Sequence, residues 1–194
     1  MPYTAEHKKK SREKILLSAI NHFTRYGFEK SSIDQIMADA KLTRGAFYAH
    51  FKSKSDLYQQ AILSGAMQSQ LVRAKPDDME DEEWLRTLVN GYLSESHVEH
   101  KDGACPLAFL VTDVAVSEPE VRHTYTRVFQ GMNRHIASSA HSFANSREQD
   151  IYAATALLIG GVAIGRCLDN KKTLKKLLAS CQDAALRLIR GEST

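Results

Sequence analysis

No stretch of this sequence stays apolar for the roughly 18 residues that a membrane-crossing helix needs. The nearest, residues 153–165, stops short. Period-two alternation, internal repeats and low-complexity tracts are also missing, so the expected fold is all-α. Three cysteines, Cys105, Cys167 and Cys181, are an odd number without paired spacing. They argue against a disulfide framework and fit a reducing cytoplasm. The lysines near the start have no apolar segment behind them, so no secretory signal is expected there. The phosphate-cradling G-x-x-x-x-G-K-[ST], the dinucleotide G-x-G-x-x-G after a strand, G-x-S-x-G and H-E-x-x-H are all lacking. No cofactor is expected. His97, His100 and Cys105 are metal-ligand types, but three ligands on one loop make a weak set, and no metal is expected either. The acidic run 77–83 lacks the alternation and central glycine of a calcium loop and reads as a solvated lead-in to a helix.

What the chain has is length for a real core, 194 residues, and an uneven charge. Residues 1–75 hold 13 Lys/Arg against 6 Asp/Glu, a net of +7. Residues 76–194 hold 13 against 17, a net of −4. The positive end is the one a phosphate-binding module requires.

Within that basic part, residues 33–57 spell two short helices, a tight turn and the start of a third. Ser32 with Gln35 has the spacing of a capping box. Ile33, Ile36, Met37 and Ala40 then share one stripe. Lys41-Leu42-Thr43 leaves room for a three-residue turn, and Thr43 can cap a second helix over 44–50 that buries Ala46, Phe47 and Phe51. Ser53 with Asp56 repeats the cap. This spacing matches a helix-turn-helix, whose second helix enters the DNA major groove. The free face of that helix offers Thr43, Arg44, Gly45, Tyr48 and His50, followed by Lys52 and Lys54. These are donors suited to base edges and phosphates. A helical hairpin with a solvated basic face satisfies the bare pattern as well.

The stretch LTRGAFYAHFKSKSDLYQQAI resembles the signature of the TetR family of bacterial transcriptional regulators, carried here by Gly45, Phe47, Tyr48, Phe51 and Lys54. Tyr26-Gly27-Phe28 and the Ser-Ser-Ile-Asp-Gln-Ile before the turn agree with it. The resemblance is specific over about residues 10–65 and architectural beyond them. It implies a DNA-binding domain over 1–53 and a helical ligand-binding and dimerisation domain over 54–194. Thr43, Arg44 and Gly45 would then read bases, while Ser32, Tyr48, His50 and Lys54 hold phosphates.

The remaining segments read as helices. The first is expected from residue 8 or 11 to 26, burying Ile15, Leu16, Ala19, Ile20 and Phe23 and closed by Gly27-Phe28. The fourth is expected over 54–75, with Leu57, Ala61, Ile62 and Val72 inward and a weak spot at 64–66. Further helices are expected over 84–98, 107–116 (with Pro106 at its first position), 121–143, 150–169 and 173–190. The 150–169 helix is apolar on most of its circumference, which suggests an interface. In the resembled family the last two helices form a four-helix homodimer bundle. That assigns Gly160, Gly161, Gly165, Leu174, Leu178 and Cys181 to the dimer interface; a pair buried within one subunit is the other reading. Trp84, Leu88, Tyr92, Cys105, Phe109, Tyr125, Phe129 and Met132 sit at helical spacing and fit a core. In the resembled family the enclosed region is a small-molecule cavity, and these residues would line it.

Cys105 has two readings of its own. Before Pro106 at a helix start, its sulfur is placed to be a reactive thiolate, and a similar Gly–x–Cys–Pro–Leu step occurs in one branch of the resembled family. A small buried residue filling the helix start is the other. Cys167 and Cys181, on the terminal helices, are expected to be less reactive. The function implied is a cytoplasmic homodimeric repressor. It would bind double-stranded DNA at a palindromic operator and be released by a hydrophobic or aromatic effector. The alternatives are an effector-independent DNA-binding protein and a small helical enzyme using the His97–Cys105 region.

Overall fold

The computed structural model describes residues 5–68, 75–101, 103, 105–140, 143 and 145–192. Among these every regular element is an α-helix: α1 (Ala5–Lys30), α2 (Ile33–Asp39), α3 (Arg44–Tyr48), α4 (Lys54–Gln68), α5 (Asp81–Tyr92), α6 (Glu95–Val98), α7 (Pro106–Phe109), α8 (Val111–Ala115), α9 (Pro119–Ser139), α10 (Glu148–Gly165) and α11 (Lys171–Arg190). None of the described helices is long and apolar enough to cross a membrane. Packing divides the chain into two units, 1–68 with 104–128 and 69–103 with 129–194.

The first unit is built on α1. Ile15, Leu16, Ala19, Ile20 and Phe23 form its buried stripe, against Ile36 and Met37 of α2, Phe47 of α3, and Leu57, Tyr58, Ala61 and Ile62 of α4. Phe23, Phe28 and Tyr58 close an aromatic cluster, with Phe23 edge-on to Tyr58 at 4.7 Å. The first helix begins earlier than expected, at Ala5, and is interrupted at Gly27, where φ is +82° and ψ 168°. That backbone is open to glycine and strained for other residues. It lets Phe28 fold back onto Phe23 while a short helical turn continues to Lys30. The fourth helix runs unbroken through the expected weak spot at 64–66, with Gly65 buried. Its onward course, including Val72, lies outside the described residues.

The helix expected over 107–116 is two helices, α7 and α8, with Leu110 between them at φ −115° and ψ 7°. The break serves burial: Leu110 is fully enclosed, and with Val114 and Val121 it joins the core of α1–α4. The Tyr125 hydroxyl donates to the Leu107 carbonyl at 2.7 Å and pins the first half of α9 beside α7.

In the second unit α10 and α11 pack along their lengths, joined by α5, α6 and the second half of α9. The helix expected over 84–98 also breaks, at Leu93. Ser94 caps α6 by accepting from the His97 N–H at 3.1 Å, and the Leu93 carbonyl is taken by Gln182 Nε2 of α11 at 3.0 Å. A polar bridge crosses the apolar packing. Thr155 of α10 donates to Asn133 Oδ1 at 3.0 Å, and Asn133 donates to the Phe129 carbonyl. Asn170 caps α11, and Gly191 ends it in the left-handed region.

Candidate nucleic-acid interface

The interface is assembled from short elements that α1 holds in place. Ser32 and Gln35 form the full capping box: the Ser32 hydroxyl accepts from the Gln35 N–H, and the Gln35 side chain accepts from the Ser32 N–H at 2.9 Å. At the other end of α2, the Ser18 hydroxyl of α1 lies 2.8 Å from the Ile36 carbonyl and 2.7 Å from Asp39 Oδ2. The turn is closed by Lys41 at φ +57°, with the Leu42 N–H donating to the Met37 carbonyl at 2.9 Å. This fixes where α3 begins.

Helix α3 is a five-residue segment anchored by Phe47, which is fully buried against Phe51 and the core. Around that anchor Thr43, Arg44, Gly45 and Tyr48 are all exposed. Thr43 occupies the N-cap position with extended backbone, but its hydroxyl makes no cap hydrogen bond, contrary to the expected role, and is left to face outward. Gly45 has open surroundings: an added Cβ would meet only Thr43 Oγ1, at 3.8 Å. Internal packing therefore does not require a glycine there, although glycine costs a helix about 1 kcal/mol relative to alanine. Arg44 is tied down, its Nη1 lying 2.8 and 3.1 Å from the two carboxylate oxygens of Asp34 on α2.

Phosphate-type donors flank this surface. His50 is half-buried, and burial followed by the charges of Lys8 and Arg12 pushes its pKa down from the ordinary value. The Arg12 guanidinium of α1 lies 5.8 Å from the centre of the Phe51 ring, and Lys8 stands one turn before it on the same helix. Lys8 belongs to the basic segment 7–10, whose sequence suits either a phosphate or minor-groove contact or a solvated tail, whereas Arg12 carried no such signal. Lys54 lies over the Phe28 ring at 4.2 Å, with its Nζ 3.5 Å from the Glu29 carbonyl. Ser53 caps α4 through the Asp56 N–H, and Asp56 in turn accepts from the Lys52 N–H at 2.8 Å.

Residues 15–61 match the bacterial regulatory proteins, tetR family. This range takes in all of α2 and α3, most of α1 and the first part of α4. Residues 15–61 belong to that family. Relatives include the HTH-type transcriptional regulator AcrR of Shigella flexneri, 39% identical over 57 residues, 29% of this chain and 26% of that one. The HTH-type transcriptional repressor BepR of Brucella suis is 39% identical over 62 residues, 32% of this chain and 30% of that one. The chain spans between 17% and 50% of the length of such curated relatives. A solved TetR-family transcriptional regulator from Cytophaga hutchinsonii superposes over 92% of this chain and 94% of its own with a TM-score of 0.75, at 17% identity, so the chain shares the fold of that structure.

Outside the TetR-family helix-turn-helix, the candidate ligand residues fall in both units. Cys105, Phe109 and Tyr125 belong to the first; Trp84, Leu88, Tyr92, Phe129 and Met132 belong to the second. Tyr125 is held at its hydroxyl by Leu107, and Tyr92 stacks edge-on against His97 at 4.6 Å. His97 is itself buried, with Nδ1 2.6 Å from the Tyr92 carbonyl. None of the eight lines the two surface hollows seen within single units, one of about 800 Å³ beside α1 and α4 and one of about 560 Å³ beside α9 and α10. No group of three or more His, Cys, Asp or Glu side chains is placed to hold a metal among the described residues.

Of the six residues assigned to a dimer interface, five turn into their own unit. A Cβ on Gly161 would lie 2.6 Å from Leu93 Cδ2, and one on Gly165 would lie 2.9 Å from Leu174 Cδ1. Leu174, Leu178 and Cys181 are buried on the inner side of α11. Gly160 is half-exposed with open space around it. The outward face of α10 instead shows Tyr152, Ala156, Gly160 and Ile164, four residues apart. Cys105 is buried, and Cys181 is buried with its thiol pKa raised by that burial. Cys167 is exposed, against the expectation that packing would shield it.

Proposed function

We propose that the chain is a homodimeric transcriptional regulator, acting as a repressor, that inserts α3 into the major groove of a palindromic operator. The observation that carries this reading is the exposed Thr43–Arg44–Gly45–Tyr48 surface of a helix anchored by Phe47. Little else explains an exposed glycine, an outward arginine and a solvent-facing tyrosine on five residues. The basic flank of Lys8, Arg12, His50, Lys52 and Lys54 supplies the phosphate contacts that give affinity without sequence preference. Two heads are needed because one such helix contacts few base pairs, and a dimer matches two half-sites spaced by a helical turn. The exposed apolar row on α10 supports pairing of copies through that helix. Names of the relatives as regulators and repressors support the same reading, and such a regulator would work with DNA in the cytoplasm.

The effector belongs to the same proposal. Within the second unit, the aromatic and apolar residues Trp84, Leu88, Tyr92, Phe129 and Met132 suit a hydrophobic or aromatic molecule, whose binding to a non-DNA-binding conformation would release the operator. The test is selection of DNA from a random pool by the full chain, followed by fluorescence anisotropy on the enriched sequence with and without a panel of aromatic compounds. Enrichment of a palindrome supports the reading, and recovery of random DNA refutes it.

A further inference from the structure

The Asp34–Arg44 pair is unusual in its placement. Both side chains are largely exposed, at 62% and 59%, so the pair adds little to stability. Asp34 also puts a negative charge on the surface that would meet a polyanion, where an unpaired carboxylate opposes binding. Its position in the first turn of α2 is favourable to that helix, but any acidic residue there would serve without touching Arg44. Asp34 on α2 engages Nη1 of Arg44 on α3 with both carboxylate oxygens. Arg44 is therefore held between two elements rather than left free. Nη1 is occupied by the carboxylate, while the rest of the guanidinium fork remains to donate elsewhere.

We infer that Asp34 is a specificity-determining positioning residue, which holds Arg44 so that the remaining edge of its guanidinium is presented to one guanine and is kept from neighbouring phosphates. The inference rests on the DNA-binding reading above. A guanine offers the acceptors O6 and N7 side by side, which suits the two-pronged arginine fork; a phosphate accepts from almost any direction. Holding the fork still favours the first partner over the second. The negative charge of Asp34 lowers attraction to backbone phosphate in general, and Arg44 remains able to reach a base.

The experiment compares wild type, Asp34→Asn, Arg44→Ala and the double variant by selection from random DNA and by anisotropy over a range of salt. Circular dichroism and thermal melting establish that each is folded. Asp34→Asn is expected to bind unrelated DNA more tightly and to steepen the salt dependence by about one phosphate contact, a slope change of roughly 0.9. Discrimination at one G·C pair per half-site should fall about tenfold, as expected for losing a bidentate contact. In the Arg44→Ala background the Asp34 substitution should change discrimination no further. The inference is overturned if folded Asp34→Asn keeps full discrimination at every position, or if its effect on discrimination persists without Arg44. Failure of the wild type to enrich any sequence would instead remove the DNA-binding reading itself, and this inference with it.

Discussion

The backbone N–H of Phe28 donates to the carboxylate of Asp113, 2.7 Å away and 85 residues later in the chain. Asp113 thereby caps the turn at Gly27, whose missing Cβ leaves the carboxylate room; a Cβ there would lie 3.0 Å from Oδ2. This bond ties α8 to the helix that supports the reading head. Asp113→Ala should leave the Phe28 N–H with no acceptor and cost about 1–3 kcal/mol of stability. Chemical denaturation checks the loss. A midpoint unchanged from wild type would mean that the turn is held by Ser31 alone, whose hydroxyl donates to the Gly27 carbonyl.

Truncating the outward donors of α3 should separate specificity from affinity. Arg44→Ala should cost about 1–3 kcal/mol on the preferred operator and relax its sequence preference. Lys54→Ala should weaken all sequences alike and flatten the salt dependence. Because Lys54 also rests on the Phe28 ring, its replacement should lower the melting temperature slightly as well. Anisotropy on cognate and scrambled duplexes distinguishes the two patterns, and an unchanged cognate affinity for Arg44→Ala would exclude it as a base reader.

Tyr58 is fully buried, and its hydroxyl has no hydrogen-bond partner among the described residues. Burial, with the nearby Asp113 carboxylate, raises its pKa well above the ordinary value and keeps it protonated. Removing an unpaired buried hydroxyl relieves a desolvation cost, so Tyr58→Phe should be neutral or stabilise by up to about 1 kcal/mol. A melting temperature lowered by several degrees would show that the hydroxyl has a partner, and would contradict this assignment.

The two faces of α10 should respond differently. Gly161→Leu forces carbon into the space held by Leu93 and Cys181 and should destabilise the subunit by at least the roughly 1–3 kcal/mol of overpacking. Ile164→Glu, on the outward face where the side chain is 54% exposed, should leave the fold intact and split the dimer. Sedimentation of both variants settles the matter; a wild-type monomer at micromolar concentration would rule out pairing through this face.

Acid should favour DNA binding through His50. Its pKa is held down in the protein alone by burial and by Lys8 and Arg12, so the ring is neutral at physiological pH. A phosphate beside it would neutralise those cations and favour the charged ring. Binding would then take up a proton, and affinity should rise as pH falls from about 8 to about 5.5, less so in His50→Gln. The sign for folding is opposite. A histidine whose pKa is lowered in the folded state binds more protons when unfolded, so its contribution to stability is lost as pH falls below its ordinary value. Equal pH slopes for wild type and His50→Gln would show that His50 does not face phosphate.

The sequence alone was enough to locate the helix-turn-helix, because each signal there is local. Ser32 and Gln35 are three residues apart and can satisfy one another without help. Phe47 and Phe51 share one side of a helix, and Lys41-Leu42-Thr43 leaves no length for anything but a turn. All-α architecture was legible for the same reason, since helical periodicity needs no partner from elsewhere in the chain. The interruptions at Leu93 and Leu110 were not legible. Both residues continue an apolar helical stripe, and each helix breaks only because a distant element takes what it releases: Gln182 accepts the role of donor to the Leu93 carbonyl, and the core around α1 and α4 encloses Leu110. The inward turn of Gly161 and Gly165 is of the same kind. Periodicity shows that α10 is apolar nearly all round, but which side meets Leu93, Val98 and α11 depends on residues far away in sequence. Nothing local in the sequence marks Asp34 or Asp113. Only the folded chain brings one to Arg44 and the other to the Phe28 N–H, because a charge acquires its role from what stands within 3 Å of it.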